Sequence, residues 1–171
     1  MFPDKRFIIR FITLFLAQVI LFQPMQLIGE VHIQVYLLFP ILFPISYNKT
    51  SILIYSFFLG LFIDIVSNTL GIHTSTILTI ALLRPIGLEL LNLKVSEIEG
   101  EIGWFKISKL KFASFLFVLT LIHQLYFQLL SNLGFWTWPQ LGYILKNTIL
   151  STIVMILLLA IFENKKKRNK R

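Results

Sequence analysis

Asp64 places a carboxylate inside a run of hydrocarbon. Residues 56–85, SFFLGLFIDIVSNTLGIHTSTILTIALLRP, join two long apolar runs through a short polar turn, and the acid lies well inside the first. A carboxylate within a membrane-spanning helix costs on the order of 3 kcal/mol on insertion scales, so it belongs where other helices supply partners. Gly60 and Asp64 are four apart and share a helical face, which stacks a close helix contact above a polar anchor. Asn68 and Gly71 stand where the chain must reverse in a left-handed or capped conformation. His73 opens the next run, across the same turn from Asp64, so the carboxylate is placed to accept from the imidazole or from the unpaired amides that begin that helix. Arg84 and Pro85 close the unit with a second charge beside a residue that removes a backbone donor and favours a kink. The expectation for Arg84 is to snorkel toward headgroups, since Glu89, five residues on, is a poor angular match for an ion pair on one helix.

His32, His73 and His123 fall at a depth similar to Asp64, and such a set could bind a metal or respond to pH. They belong to different runs without ligand spacing, so hydrogen-bonded interior histidines are the expectation, with no metal or cofactor. The sequence has no cysteine, no G-x-S-x-G, no H-E-x-x-H and no second intramembrane aspartate, and catalysis is not expected. Gln18, Gln124 and Gln128 offer neutral polar contacts between helices.

The elements that must position these residues are membrane spans. Of the 171 residues 56% are apolar and 14% charged, and the mean hydropathy is +0.79. Soluble domains carry about a quarter charged residues, so an all-α integral membrane protein is expected. At roughly 20 residues per span, the length suits one domain, 1–162, of about six helices near 7–23, 31–47, 51–67, 72–91, 110–130 and 142–162. The first, with Lys5, Arg6 and Arg10 ahead of its apolar run, reads as an uncleaved helix because no small-x-small pattern follows it. Pro40 and Pro44 on one face of the second predict a bent helix packed against protein. Asn48-Lys49-Thr50 fits a glycosylation pattern but lies in a short turn expected to be cytoplasmic. Residues 92–109 form the one sizeable loop, with Trp104 expected at headgroup level, and 134–139 read as an aromatic-belt turn.

The net charge of +8 is concentrated at one end, six of the sixteen Lys and Arg lying in the last seven residues. A basic tail, 163–171, behind an apolar helix points to anionic lipid headgroups rather than nucleic acid. With the N-terminus inside, fourteen basic residues fall in cytoplasmic segments and none in the external turns, Arg84 and Lys146 lying within spans. The positive-inside rule then places both termini in the cytoplasm.

Gly60-Leu61-Phe62-Ile63-Asp64, Asn68 to His73 and Leu83-Arg84-Pro85, together with the length and number of apolar runs, resemble the rod shape-determining membrane protein family MreD. They look like the version found in Bacteroidetes-type bacteria, although Gln124 stands after His123 where that version often has two histidines. The resemblance covers nearly the whole chain. It implies a multi-pass protein of the bacterial inner membrane, a non-catalytic scaffold of the cell-elongation machinery that makes peptidoglycan. The implied partners are an MreC-like protein, an MreB-like filament protein, a RodA-like glycosyltransferase and a class B penicillin-binding protein. The family-like positions Gly60, Asp64, Asn68, Gly71, His73, Arg84 and Pro85 are expected to be structural or partner-facing. The family is also similar in size and helix count to the membrane subunits that capture vitamins for energy-coupling-factor transporters, so a transporter or its substrate-binding subunit is the alternative.

Overall fold

The computed structural model describes residues 5–25, 31–44, 47–90, 108–133 and 137–168. Within them the chain is helical and forms no strand. Helix α1, Lys5–Leu16, runs on through a π-helical turn, Ala17–Phe22. A short helix α2, Leu38–Ile41, is followed by the long helices α3, Lys49–Ser67, α4, Ile72–Leu90, α5, Lys109–Ser131, and α6, Trp138–Arg168. Among the described residues, four stretches are long and apolar enough to cross a membrane: Phe7–Met25, Lys49–Ser67, Lys109–Ser131 and Trp138–Ile161. Four such stretches suit a multi-pass membrane protein. Helix α4 has 19 residues but carries His73, Thr74, Ser75, Thr76, Thr79 and Arg84, and is not among the four. Pro85 lies inside it, yet the helix continues to Leu90.

The long helices alternate in direction. The side chains of Gln23 and Ser67 meet at the ends of the first and third runs, so these lie parallel. Gly60 on α3 backs onto Thr74 near the start of α4, and Gly87 near the end of α4 faces Phe115 near the start of α5. Helix α6 returns along α5, with Gln140 and Tyr143 near Ser131. This arrangement brings the starts of α1, α3 and α5, with Lys5, Lys49, Lys109 and Lys111, to one end of the bundle.

Residues 31–47 depart from the expected second span. Residues 31–34 form no helix, Val35–Leu37 make a 3-10 turn, and α2 is four residues long. Every residue from 33 to 43 is buried. The stretch is apolar because it is enclosed by protein rather than lipid, and a composition suited to either solvent looks the same in a sequence. Pro40 and Pro44 withhold two backbone donors, and polar side chains of the neighbouring helices offer the remaining backbone groups alternative partners.

The segment also explains much of the phenylalanine. Phe7 of α1 packs edge-on against Phe43, with ring centroids 4.7 Å apart, and against Tyr55 of α3 at 4.8 Å. Phe39 lies 4.9 Å from the same ring. Each such pair adds about 0.5–1.5 kcal/mol beyond its buried area, and together they tie α1, the broken segment and α3 at the basic end.

The expected interfacial loop lies outside the described residues up to 107, as do 134–136 of the aromatic turn and 169–171 of the tail. Helix α6 extends to Arg168, into the stretch expected to be tail.

Candidate functional site: a capped hairpin, a clamped segment and an open cavity

Asp64 is the hub of the α3–α4 hairpin. Helix α3 ends at Ser67 because Asn68 takes the left-handed conformation, φ 52°, and Gly71 follows at φ +82°. This reversal brings the first amides of α4 back to the carboxylate. Oδ1 accepts from Thr69 Oγ1 at 2.6 Å, from the His73 amide at 2.9 Å and from His73 Nδ1 at 3.1 Å. Oδ2 accepts from the Thr74 amide at 2.8 Å and from Thr74 Oγ1 at 2.6 Å. The acid of one helix thus caps the next, engaging two of the four amides that an isolated helix start leaves unpaired, with the positive end of its dipole toward the charge. Because Nδ1 faces a carboxylate, the His73 proton sits there, and Nε2 is the ring's remaining acceptor when neutral.

Gly60, one turn before Asp64, sets the helix separation. A Cβ there would stand 2.5 Å from Thr74 Cα, so only glycine lets the capped amides approach the acid. Both groups expected to donate to Asp64, the imidazole and the helix-start amides, are found doing so. At 4% exposure, Asp64 is turned wholly into its own hairpin. Gly60, Asp64, Asn68, Gly71 and His73 form one unit, whereas Arg84 and Pro85 lie elsewhere on α4.

Arg84 does not snorkel. It is 8% exposed and donates from Nε to the Ile41 carbonyl at 3.1 Å and from Nη2 to the Phe43 carbonyl. Carbonyls at the end of α2 have no later helical turn to pair with, and a buried cation supplies that pairing more strongly than water at the headgroups could. Arg10 of α1 donates to the intervening Leu42 carbonyl at 3.4 Å.

At the other end of the broken segment, Gln18 lies in the π-helical turn and uses both ends of its amide. Its Nε2 donates to the Ile33 carbonyl at 3.0 Å, and its Oε1 accepts from the Val35 amide at 2.9 Å. One side chain thereby stands in for a neighbouring strand. From α6, Asn147 Oδ1 accepts from the His32 amide at 3.0 Å, and Ser151 Oγ donates to the His32 carbonyl at 3.2 Å. Gln124 of α5 donates to the same carbonyl at 3.1 Å, and Tyr36 shares a 2.8 Å hydrogen bond between its hydroxyl and His123 Nε2.

These clamp residues were seen in the sequence as loose polar contacts or not at all. The signal was present in α6, where Asn147 and Ser151 are four apart and so share a face. Gly87 was also missed, and a Cβ there would meet Phe115 at 2.9 Å. The three histidine rings surround Phe127, at centroid distances of 6.1 Å for His32, 5.1 Å for His73 and 6.0 Å for His123. Among the described residues no three His, Asp or Glu side chains are grouped to hold a metal ion.

A cavity of about 970 Å³ opens at the end of the bundle away from the basic helix starts. His32, His73 and Phe127 line it, with Gln23, Ser67 and Tyr143 among its other walls. On the flank of the molecule, a shallow groove of about 460 Å³ runs between α5 and α6, with Ala113, Ser114 and Thr152 among its lining and Phe117 and Ile149 beside them. Comparison of the chain with family models, with curated proteins and with solved structures found no match.

Proposed function

We propose that this protein is a non-catalytic scaffold of the cell-elongation complex in the bacterial inner membrane, docking the transmembrane helices of its partners. The resemblance to MreD supplies the partners: an MreC-like protein, an MreB-like filament protein, a RodA-like glycosyltransferase and a class B penicillin-binding protein. The observation that carries the docking reading is the α5–α6 groove, where Ala113, Ser114 and Thr152 leave room for a partner helix to approach closely. The polar residues of the interior support it too, because Asp64, Arg84, Gln18 and Asn147 are engaged in holding the fold. The basic end suits the anionic headgroups of the cytoplasmic leaflet.

The test is capture from native membranes in mild detergent, comparing wild type with Ser114→Trp at matched levels. The expected outcome is that wild type brings down an MreC-like protein and the synthase pair, while the filled groove loses them. Equal capture by both would overturn the groove as the docking face, and capture of none by wild type would overturn the scaffold. A second reading, a small-molecule transporter or substrate-binding membrane subunit, is favoured by the open cavity beside Phe127. Recovery of an ATPase subunit in the same experiment would support it.

A further inference from the structure

We infer that the groove on the flank between α3 and α4 seats an acyl chain of a membrane phospholipid whose headgroup carries a primary ammonium beyond its phosphate. The inference needs neither partner docking nor transport.

The groove, about 640 Å³, is lined by Leu53, Ile54, Phe57 and Phe58 of α3 and by Leu78 and Leu82 of α4. These large hydrocarbon side chains offer a guest no hydrogen-bonding group, and Ile54, Phe57, Phe58 and Leu82 are exposed. The rings of Phe57 and Phe58 meet edge-on, with centroids 5.6 Å apart, and shape one wall. A partner helix packs closely where small residues admit its backbone, as Ala113 and Ser114 do on the α5–α6 flank. Here bulky walls hold a helix off but accept a slender, pliable chain. The occupant is lipid.

Charges beyond the mouth of the groove specify the headgroup. Gly60 backs onto Thr74, so residue 60 of α3 is level with residue 74 of the antiparallel α4. By the same register Leu53 is level with about residue 81 and Lys49 with about residue 85. Lys49 precedes Leu53 by one turn on the same face, about 6 Å nearer the helix start. Glu89 follows Leu82 by seven residues, so it continues the same stripe of α4, and it lies about 6 Å beyond the level of Lys49. Both charged side chains are exposed. Passing out of the groove, the order is hydrocarbon, cation, anion. A phospholipid presents the complementary order, acyl chain, phosphate, ammonium, when an amine follows its phosphate. Lys49 then meets the phosphate and Glu89 accepts from the ammonium. A glycerol headgroup brings no positive charge to Glu89, and the quaternary ammonium of choline has no N–H to donate. Lys109 and Lys111 belong to the start of α5, which packs on the Gly87 side of α4, about 200° around the helix from Glu89.

The site is tested with delipidated protein in detergent by following its thermal unfolding against dioleoyl phosphatidylethanolamine, phosphatidylcholine and phosphatidylglycerol, which share their acyl chains. The expected result is a saturable rise in Tm, half-complete at about tenfold lower concentration of phosphatidylethanolamine than of the other two. Glu89→Lys should keep the unliganded Tm of wild type and transfer the preference to phosphatidylglycerol. Leu82→Trp should fill the groove and lose the response to all three lipids. If that variant does not fold, Ile54→Trp replaces it with the same expected loss. No response or equal responses in wild type, an unchanged preference in Glu89→Lys, or an undiminished response in the folded tryptophan variant would each overturn the proposal. So would a dimer, stable without lipid, that the tryptophan variant breaks apart, since a second copy would then hold the groove. The partner-capture experiment above reads the α5–α6 flank, so the two can fail separately.

Discussion

At the scale of single residues, the hairpin rests on one acid whose two oxygens accept from five groups of the following turn and helix. Asp64→Asn keeps the shape but turns an amide NH2 toward donors, and is expected to cost about 2–4 kcal/mol, read as a lowered Tm in detergent. The two glycines of the motif differ in cause. Gly60→Ala drives a Cβ into the Thr74 backbone and should cost about 1–3 kcal/mol by overpacking. Gly71→Ala meets open space, and its cost of about 1 kcal/mol comes from φ +82° alone. A measurement that separates them is disulfide trapping between introduced cysteines on α3 and α4, which the first variant alone should slow. The cap was legible beforehand because Asp64, Asn68, Gly71 and His73 are all local to one turn. The role of Arg84 was not, since its acceptors lie 41 and 43 residues away, and nothing near it in sequence marks unpaired carbonyls.

At the scale of elements, α1, α3, α5 and α6 carry the long apolar runs, and the four membrane-length stretches, Phe7–Met25, Lys49–Ser67, Lys109–Ser131 and Trp138–Ile161, begin and end within about four residues of the corresponding apolar runs read from the sequence. Residues 31–44 are also largely apolar but form a broken segment, because the partners of their backbone come from side chains on other elements. Hydropathy records which solvent a residue prefers, not which group answers its amide. The segment's integrity can be tested at Gln18. Gln18→Leu preserves volume and apolarity, yet strips partners from the Ile33 carbonyl and the Val35 amide, at a cost of roughly 1–3 kcal/mol for each. Gln18→Glu keeps the acceptor for Val35 but sets an oxygen against the Ile33 carbonyl. Hydrogen exchange at Val35 should accelerate strongly in the leucine variant and less in the glutamate variant.

At the scale of the whole molecule, the alternating helices gather Lys5, Lys49, Lys109 and Lys111 at one end and the open cavity at the other. On the orientation expected from the basic residues, an impermeant maleimide added from outside the cell should label Leu70→Cys and spare Lys49→Cys and Lys109→Cys. The natural chain has no cysteine to confuse the readout. The inverse pattern would turn the molecule over and put the cavity inside the cell. The clamp also carries a consequence for how the protein is made. A helix can enter the bilayer as soon as it is synthesised, since its backbone groups pair among themselves. Residues 31–34 lack that autonomy: the His32 amide is met by Asn147 and its carbonyl by Ser151, more than a hundred residues downstream. The second apolar stretch to leave the ribosome must wait for the last one, so a chain cut before α6 should reach the membrane but remain open to proteases until synthesis is complete.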